Sequence, residues 1–104
     1  MGRLDDVMSL DATGQADLVR KREVTPLELV EAAITRVESV NAILNAVVTP
    51  MYDYAREAAR APIPVGPFTG VPFLMKDLVA EVAGVRFTEG TAFLRDYLPK
   101  EDSE

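Results

Sequence analysis

The sequence of 104 residues contains neither cysteine nor histidine. Without cysteine the chain can form no disulfide and no thiolate metal site, and the composition fits a reducing compartment. Without histidine it can build neither a Ser-His-Asp triad nor a Cys-His pair, and most zinc sites also need one of these missing residue types. The remaining chemistry is that of lysine, carboxylate, hydroxyl and tyrosine groups, and we expect no cofactor and no bound metal.

Positive charge and long apolar runs are also scarce. The 17 acidic residues outnumber the 11 basic ones and give a formal net charge of −6, so binding to a phosphate backbone or an anionic membrane surface is not expected. No apolar run approaches the roughly 20 residues that span a bilayer, and the first residues include Asp5 and Asp6 instead of a basic start followed by an apolar stretch. We therefore predict a cytoplasmic protein without a nucleic-acid or membrane partner.

The length and composition leave room for one domain at most. Hydrophobic residues make up 48% of the chain and charged residues 27%, which are ordinary values for a soluble domain with its own core. A chain of this length has room for a single compact domain, so we assign residues 1–104 to one domain.

The first half of the sequence predicts helices. Asp11 can cap a first helix that runs toward Lys21 and Arg22, whose charges suit a helix C-terminus. Thr25-Pro26-Leu27-Glu28 is a capping box with proline at the first helical position. The second helix should end near Asn41 and bury one face, made of apolar residues three and four positions apart: Leu27, Val30, Ile34 and Val37.

The rest of the chain predicts shorter elements. Ile43–Val48 is an apolar run typical of a buried strand, and Thr49-Pro50 should cap a third helix that continues through Ala59. Four prolines between Ala61 and Pro72 exclude a helix or a central strand and indicate a loop or a linker. The last predictions are extended runs at Phe73–Met75 and Leu78–Val82, a turn at Gly84, a short helix at Gly90–Tyr97 and a solvated acidic tail at Pro99–Glu104.

The segment from Gly66 to Leu78 contains Gly70-Val71-Pro72, three further residues, and then Lys76-Asp77. This pattern resembles the amidase-signature family, whose catalytic lysine stands in a Gly-Val/Ile-Pro-x-x-x-Lys-Asp segment. Within that family, Gly66-Pro67-Phe68 is most similar to the 6-aminohexanoate cyclic dimer hydrolase branch. The resemblance extends, in the family's order and spacing, through three upstream segments: Asp11–Gly14, Thr25–Val30 and Leu44–Val48.

The resemblance implies an α/β fold in which residues 1–104 supply the N-terminal helices and first strands, with a mixed sheet flanked by helices. It also implies an amidase that works through an acyl-enzyme with a Ser-cis-Ser-Lys triad, in which Lys76 is the catalytic lysine. A lysine amine has an ordinary pKa of about 10.4, so a base near neutral pH needs burial that penalises the charged form. Phe73, Leu74, Met75 and Leu78 are the apolar neighbours that such a site would need.

Residue type alone would not single out Lys76, because most Lys-Asp pairs are solvated surface residues. Asp77 has two open interpretations: it holds a hydrogen bond behind the lysine, or it merely ends the strand. The family's serines lie in a Gly- and Ser-rich stretch downstream of the lysine, and none of Ser9, Ser39 and Ser103 has the glycine neighbours of a triad serine.

The sequence therefore reads as a fragment or a truncated gene product that carries the lysine but not the nucleophile. We expect the chain alone to be inactive and its partners to be a small amide substrate and either further copies of itself or the remainder of the enzyme. Two alternatives stay open: an amidotransferase A-type subunit, and a remnant without catalytic function in which Lys76 is charged and exposed.

Overall fold

A computed structural model describes residues 6–76, 82–86, 97–100 and 102. The helices with defined bounds are α1 (Ala12–Arg20), α2 (Pro26–Leu44) and α3 (Tyr52–Arg60), and residues 6–8 are also helical. The chain divides into two compact units, Met1–Pro72 and Phe73–Glu104. All three helices belong to the first unit.

Helix α1 begins as its sequence predicts. The Asp11 carboxylate accepts a hydrogen bond of 2.8 Å from the backbone N–H of Gly14, which satisfies one of the free donors at the helix start. At the other end, Asp17 pairs with Arg20 at 3.1 Å and with Lys21 at 3.2 Å. The hydrogen bond from Lys21 is the main reason that the pKa of Asp17 is lowered. The predicted cap and the basic helix end are both confirmed.

The capping box at the start of α2 is confirmed atom by atom. The Glu28 N–H donates to Thr25 Oγ1 at 3.1 Å, and the Thr25 N–H donates to Glu28 Oε1 at 3.0 Å. Pro26 occupies the first helical position, where its missing N–H costs nothing because that donor would have no helical partner.

The end of α2 differs from the prediction. The helix continues past Asn41 to Leu44 and ends at Asn45, which adopts the left-handed conformation with φ of 48°. The Asn41 side chain donates to the carbonyl of Val47 and accepts from its N–H, both at 2.9 Å. These bonds use the backbone groups that a strand would present to a neighbour, and residues 43–44 are helical, so the predicted strand at 43–48 is wrong.

Helix α3 begins three residues after the predicted cap. Met51 precedes the first helical residue and makes no side-chain cap bond, so the prediction that Thr49-Pro50 starts the helix is wrong. Contacts with α2 hold this helix instead. Arg56 makes a two-pronged contact with Glu31, with Nη2–Oε1 and Nε–Oε2 both at 3.0 Å. Burial, and after it the nearby Glu38 carboxylate, raises the pKa of Tyr52.

The core of the first unit lies where α2 begins. Leu29 is fully buried, with 0% of its surface exposed, and it belongs to a cluster with Val7 and Val24 that is covered by Met8, Leu18 and Val19. The predicted buried stripe is only partly correct: of its four members Val30 alone is buried, and Leu29 was not among them. The stripe is displaced because the residues around α1 and helix α3 contact different sides of α2.

The second unit contains a short turn that is hydrogen-bonded to Pro99 and Asp102. Gly84 has a φ of 74°, which confirms the predicted turn, and its N–H donates to the Pro99 carbonyl at 2.9 Å. The Ala83 N–H donates to the Asp102 carboxylate at 2.7 Å. Pro99 is buried, so the prediction of a solvated tail without an apolar anchor is wrong.

No strand occurs within residues 6–76, 82–86, 97–100 and 102. The mixed sheet of the expected α/β fold therefore stays a prediction. Residues 78–81 of the predicted extended run and residues 90–96 of the predicted short helix lie outside the described residues.

The capping box supports a stability prediction. Thr25→Ala should lower the free energy of unfolding by about 1 kcal/mol, because the N–H of Glu28 loses its acceptor. The matched control is Thr35→Ala on the same helix, where the hydroxyl bonds only to the carbonyl of Glu31 and the loss should stay within about 0.5 kcal/mol. Urea unfolding followed by circular dichroism compares the two variants. Equal losses would contradict the assigned role of the cap.

The contact between Glu31 and Arg56 supports a prediction on pH. The hydrogen bonds from Arg56 are the main cause that lowers the pKa of Glu31 in the folded chain. The contribution of the pair is therefore present above the ordinary glutamate pKa of about 4.3 and is lost as pH falls through the lower folded value. Glu31→Gln should destabilise the protein at neutral pH, and the difference from the wild type should shrink as pH falls through the lowered pKa of Glu31.

The matched control for this titration is Glu57→Gln, on the exposed surface of α3. Urea unfolding at several pH values measures both variants. A Glu31→Gln difference that stays constant between neutral and acidic pH would show that the ion pair does not stabilise the fold.

Candidate functional site

The segment that leads to Lys76 is a closed turn. The hydroxyl of Thr69 accepts from the Gly66 N–H at 2.7 Å and lies 2.9 Å from the Pro64 carbonyl, to which it can donate. The Val71 N–H donates to the Phe68 carbonyl at 3.1 Å. These bonds satisfy backbone groups in a stretch where proline prevents regular structure, so residues 64–71 form an ordered turn and not a loose linker.

Gly70 fixes this turn against the helices of the first unit. Its φ is 85°, a conformation that residues with a side chain rarely adopt. A Cβ atom placed here would lie 2.9 Å from Pro26 Cγ and 3.2 Å from Val19 Cγ1. The glycine of the Gly-Val-Pro pattern is thus required twice, by the backbone conformation and by the close approach to the first residue of α2.

Lys76 lies in the second unit, four positions after Pro72, which ends the first. Its side chain is exposed, as are the neighbours Phe73 at 83%, Leu74 at 74% and Met75 at 43%. These three side chains do not enclose the lysine in this chain, and Asp77 and Leu78 lie outside the described residues. Both the role of Lys76 and the two interpretations of Asp77 stay predictions.

Two of the three serines are among the described residues, and both belong to the first unit. Ser39 is exposed and donates to the Arg36 carbonyl at 2.8 Å within α2. Ser9 is exposed in the segment before α1, and Ser103 lies outside the described residues.

Two polar residues that shape the turns were missed by the sequence analysis. Thr69 could have been recognised, because a threonine three positions after a glycine in a proline-rich stretch is typical of a turn closed by a hydroxyl. Asp102 carried no local signal, since its partner Ala83 is 19 positions away in the sequence.

Among residues 6–76, 82–86, 97–100 and 102 there is no group of three or more metal-binding side chains.

Comparison with known proteins identifies the family. The family model described as Amidase matches residues 28–104, which contain most of α2, the turn around Gly70 and Lys76. This match covers well over half of the chain, so the protein belongs to the amidase family.

None of the helices in the described part is long and apolar enough to cross a membrane.

The chain is similar to several much longer proteins. It is 46% identical over 74 residues to the 6-aminohexanoate-cyclic-dimer hydrolase of Pseudomonas sp. strain NK87. The aligned residues cover 71% of this chain and 15% of that protein. It is 40% identical over 92 residues to the lipoamidase of Enterococcus faecalis, covering 88% of this chain and 13% of that protein. A third relative is the A-type subunit of the glutamyl-tRNA(Gln) amidotransferase of Geobacter sulfurreducens, 36% identical over 92 residues, with 83% of this chain and 19% of that protein covered.

The contact between Gly70 and Pro26 can be tested by a double-mutant cycle. Gly70→Ala should lower the free energy of unfolding by about 2 kcal/mol, from the strained conformation and the contact with Pro26. Pro26→Ala removes the obstructing Cγ atom, so the double variant should lose clearly less than the sum of the two single changes. Urea unfolding of the four proteins measures the cycle. Strictly additive losses would show that the two residues are not coupled.

Proposed function

We propose that this chain is the lysine-bearing portion of an amide hydrolase that works by a Ser-cis-Ser-Lys mechanism. The observation that carries the proposal is the Gly70-Val71-Pro72-x-x-x-Lys76-Asp77 segment, which lies inside the part of the chain matched by the amidase family. The names of two relatives, a cyclic dimer hydrolase and a lipoamidase, support amide hydrolysis over other reactions.

In this mechanism Lys76 is the general base. Its neutral amine takes a proton from a bridging serine, which in turn takes the proton of a second serine as that oxygen attacks the amide carbon. The amine part of the substrate takes up a proton and leaves, so that the acyl part stays bonded to the second serine. Water then cleaves this acyl-enzyme, releases the acid and restores the serine. The resemblance to the amidase-signature family places both serines in a Gly- and Ser-rich stretch downstream of the lysine.

The exposure of Lys76 limits what the chain can do alone. A neutral amine at neutral pH requires surroundings that disfavour the ammonium ion, whereas Lys76, Phe73 and Leu74 are exposed here. The proposal thus requires the remainder of an amidase domain to cover this segment and to supply the serines and the oxyanion-binding amides. The isolated chain should accordingly hydrolyse no amide.

Two alternatives remain with distinct signatures. The similarity to the A-type subunit of an amidotransferase favours a chain that works with partner proteins: the amide is still cleaved to an acid, and the released ammonia is passed to an acceptor. A remnant without catalytic function would keep the helices for packing and leave Lys76 as a charged surface residue. Turnover of a simple amide in the absence of partner proteins separates the hydrolase from both.

The experiment uses a chimera in which residues 28–104 replace the segment of the Pseudomonas 6-aminohexanoate-cyclic-dimer hydrolase that matches the same part of the family. We expect the chimera to hydrolyse the cyclic dimer that gives this relative its name. Lys76→Ala should reduce kcat/KM by about 10²- to 10⁴-fold, the usual contribution of a positioned general base. The measurement is the rate at which free amine is released.

The matched control is Lys100→Ala, which removes the same charge from another exposed lysine of the second unit. It should leave turnover unchanged, and circular dichroism should show both variants folded. A folded Lys76→Ala chimera with the activity of the parent would refute the proposed base.

A further inference from the structure

Helix α2 carries the same apolar pattern twice. Leu29, Ala32 and Ala33 are followed eleven positions later by Val40, Ile43 and Leu44. Eleven residues make about three turns of an α-helix, so the two groups lie along one face. We call Val40, Ile43 and Leu44 the distal patch.

The two groups differ in their surroundings. Leu29 and Ala32 are exposed by 0% and 8%, because the core of the first unit covers them. Val40, Ile43 and Leu44 are exposed by 39%, 87% and 65%. Arg36 lies on the same face between the groups and is also exposed, so the covered half of the helix face ends at this residue.

The ion pair that joins α3 to α2 lies on a different side of α2 from the distal patch. The α2 residue of this pair is Glu31, which lies about a third of a turn from Ile43 and about half a turn from Val40 around the helix axis. Isolated apolar residues on a surface are normal, but a group at positions i, i+3 and i+4 that continues a buried face is typical of an interface.

We propose that the distal patch is the docking surface for the remainder of an amidase domain. Two observations identify this occupant. The patch continues the face by which α2 enters the core, so it extends an existing internal interface. It also lies inside the segment shared with the amidase family, and the chain spans only 15% of the length of the cyclic dimer hydrolases that it matches. The longer relatives contain the polypeptide that would cover it.

Because this chain contains no cysteine, a single introduced cysteine is its only thiol and can be labelled selectively. Ile43→Cys places a thiol in the distal patch, and Thr35→Cys places one at an exposed position toward another side of the same helix. A maleimide labels both variants in the isolated chain and in the chimera, and mass spectrometry of the peptides reports each rate separately. Each tenfold slowing corresponds to about 1.4 kcal/mol of local opening free energy.

We expect the Ile43→Cys thiol to react at the rate of an exposed thiol in the isolated chain and about tenfold or more slowly in the chimera. The Thr35→Cys thiol gives the reference rate in each protein. Should the chimera not fold, the same two cysteines are placed at the aligned positions of the intact Pseudomonas hydrolase, with the same expectation.

Three results would overturn the proposal. Equal rates at position 43 in the isolated chain and the full-length protein would show that the patch stays open to solvent. Slow labelling in the isolated chain that depends on protein concentration would make a second copy the occupant. Slow labelling at every concentration would show that another segment of this chain covers it. None of these outcomes depends on turnover, so a chimera that folds without activity would refute the proposed function and leave this proposal intact.

Discussion

The first turn of α2 is the point on which the first unit depends. Thr25 and Glu28 cap the N-terminus of the helix, and Pro26 packs closely against Gly70. Leu29, one turn later, is fully buried in the core. A shift in this turn would therefore disturb the helix cap, the core and the proline-rich turn together. The Gly-Val-Pro pattern and the capping box are far apart in the sequence, yet they form one contact.

The buried residues of the first unit are concentrated along one half of α2. The N-terminal half of α2 is covered by residues around α1, and α3 is held on another side by the ion pair between Arg56 and Glu31. Apolar side chains remain exposed at the distal patch and at Phe73 and Leu74 in the second unit. A domain of this size buries a smaller share of its surface than a larger one, and the exposed residues are those that a longer amidase chain could cover.

Local signals in the sequence predicted the elements that depend on neighbouring residues. The cap at Asp11, the box at Thr25 and the turn at Gly84 were all predictable, because each is formed by groups within a few positions. The end of α2 was not, since the bonds from Asn41 to Val47 compete with a strand pattern that is equally apolar. The pairing of Arg56 with Glu31 and the anchoring of Asp102 join residues far apart in the sequence, which no local pattern reveals. Lys76 was found only through its family pattern, because its own surroundings in this chain are those of an ordinary surface lysine.

The central claim is that Lys76 activates a serine that the rest of an amidase domain supplies. A fluorophosphonate reacts covalently with an activated serine and needs no turnover, so the rate of its incorporation into the chimera tests the claim most directly. The account predicts rapid incorporation in the parent and in Lys100→Ala, and incorporation slower by about 10² or more in Lys76→Ala. Equal incorporation in a folded Lys76→Ala chimera would contradict it.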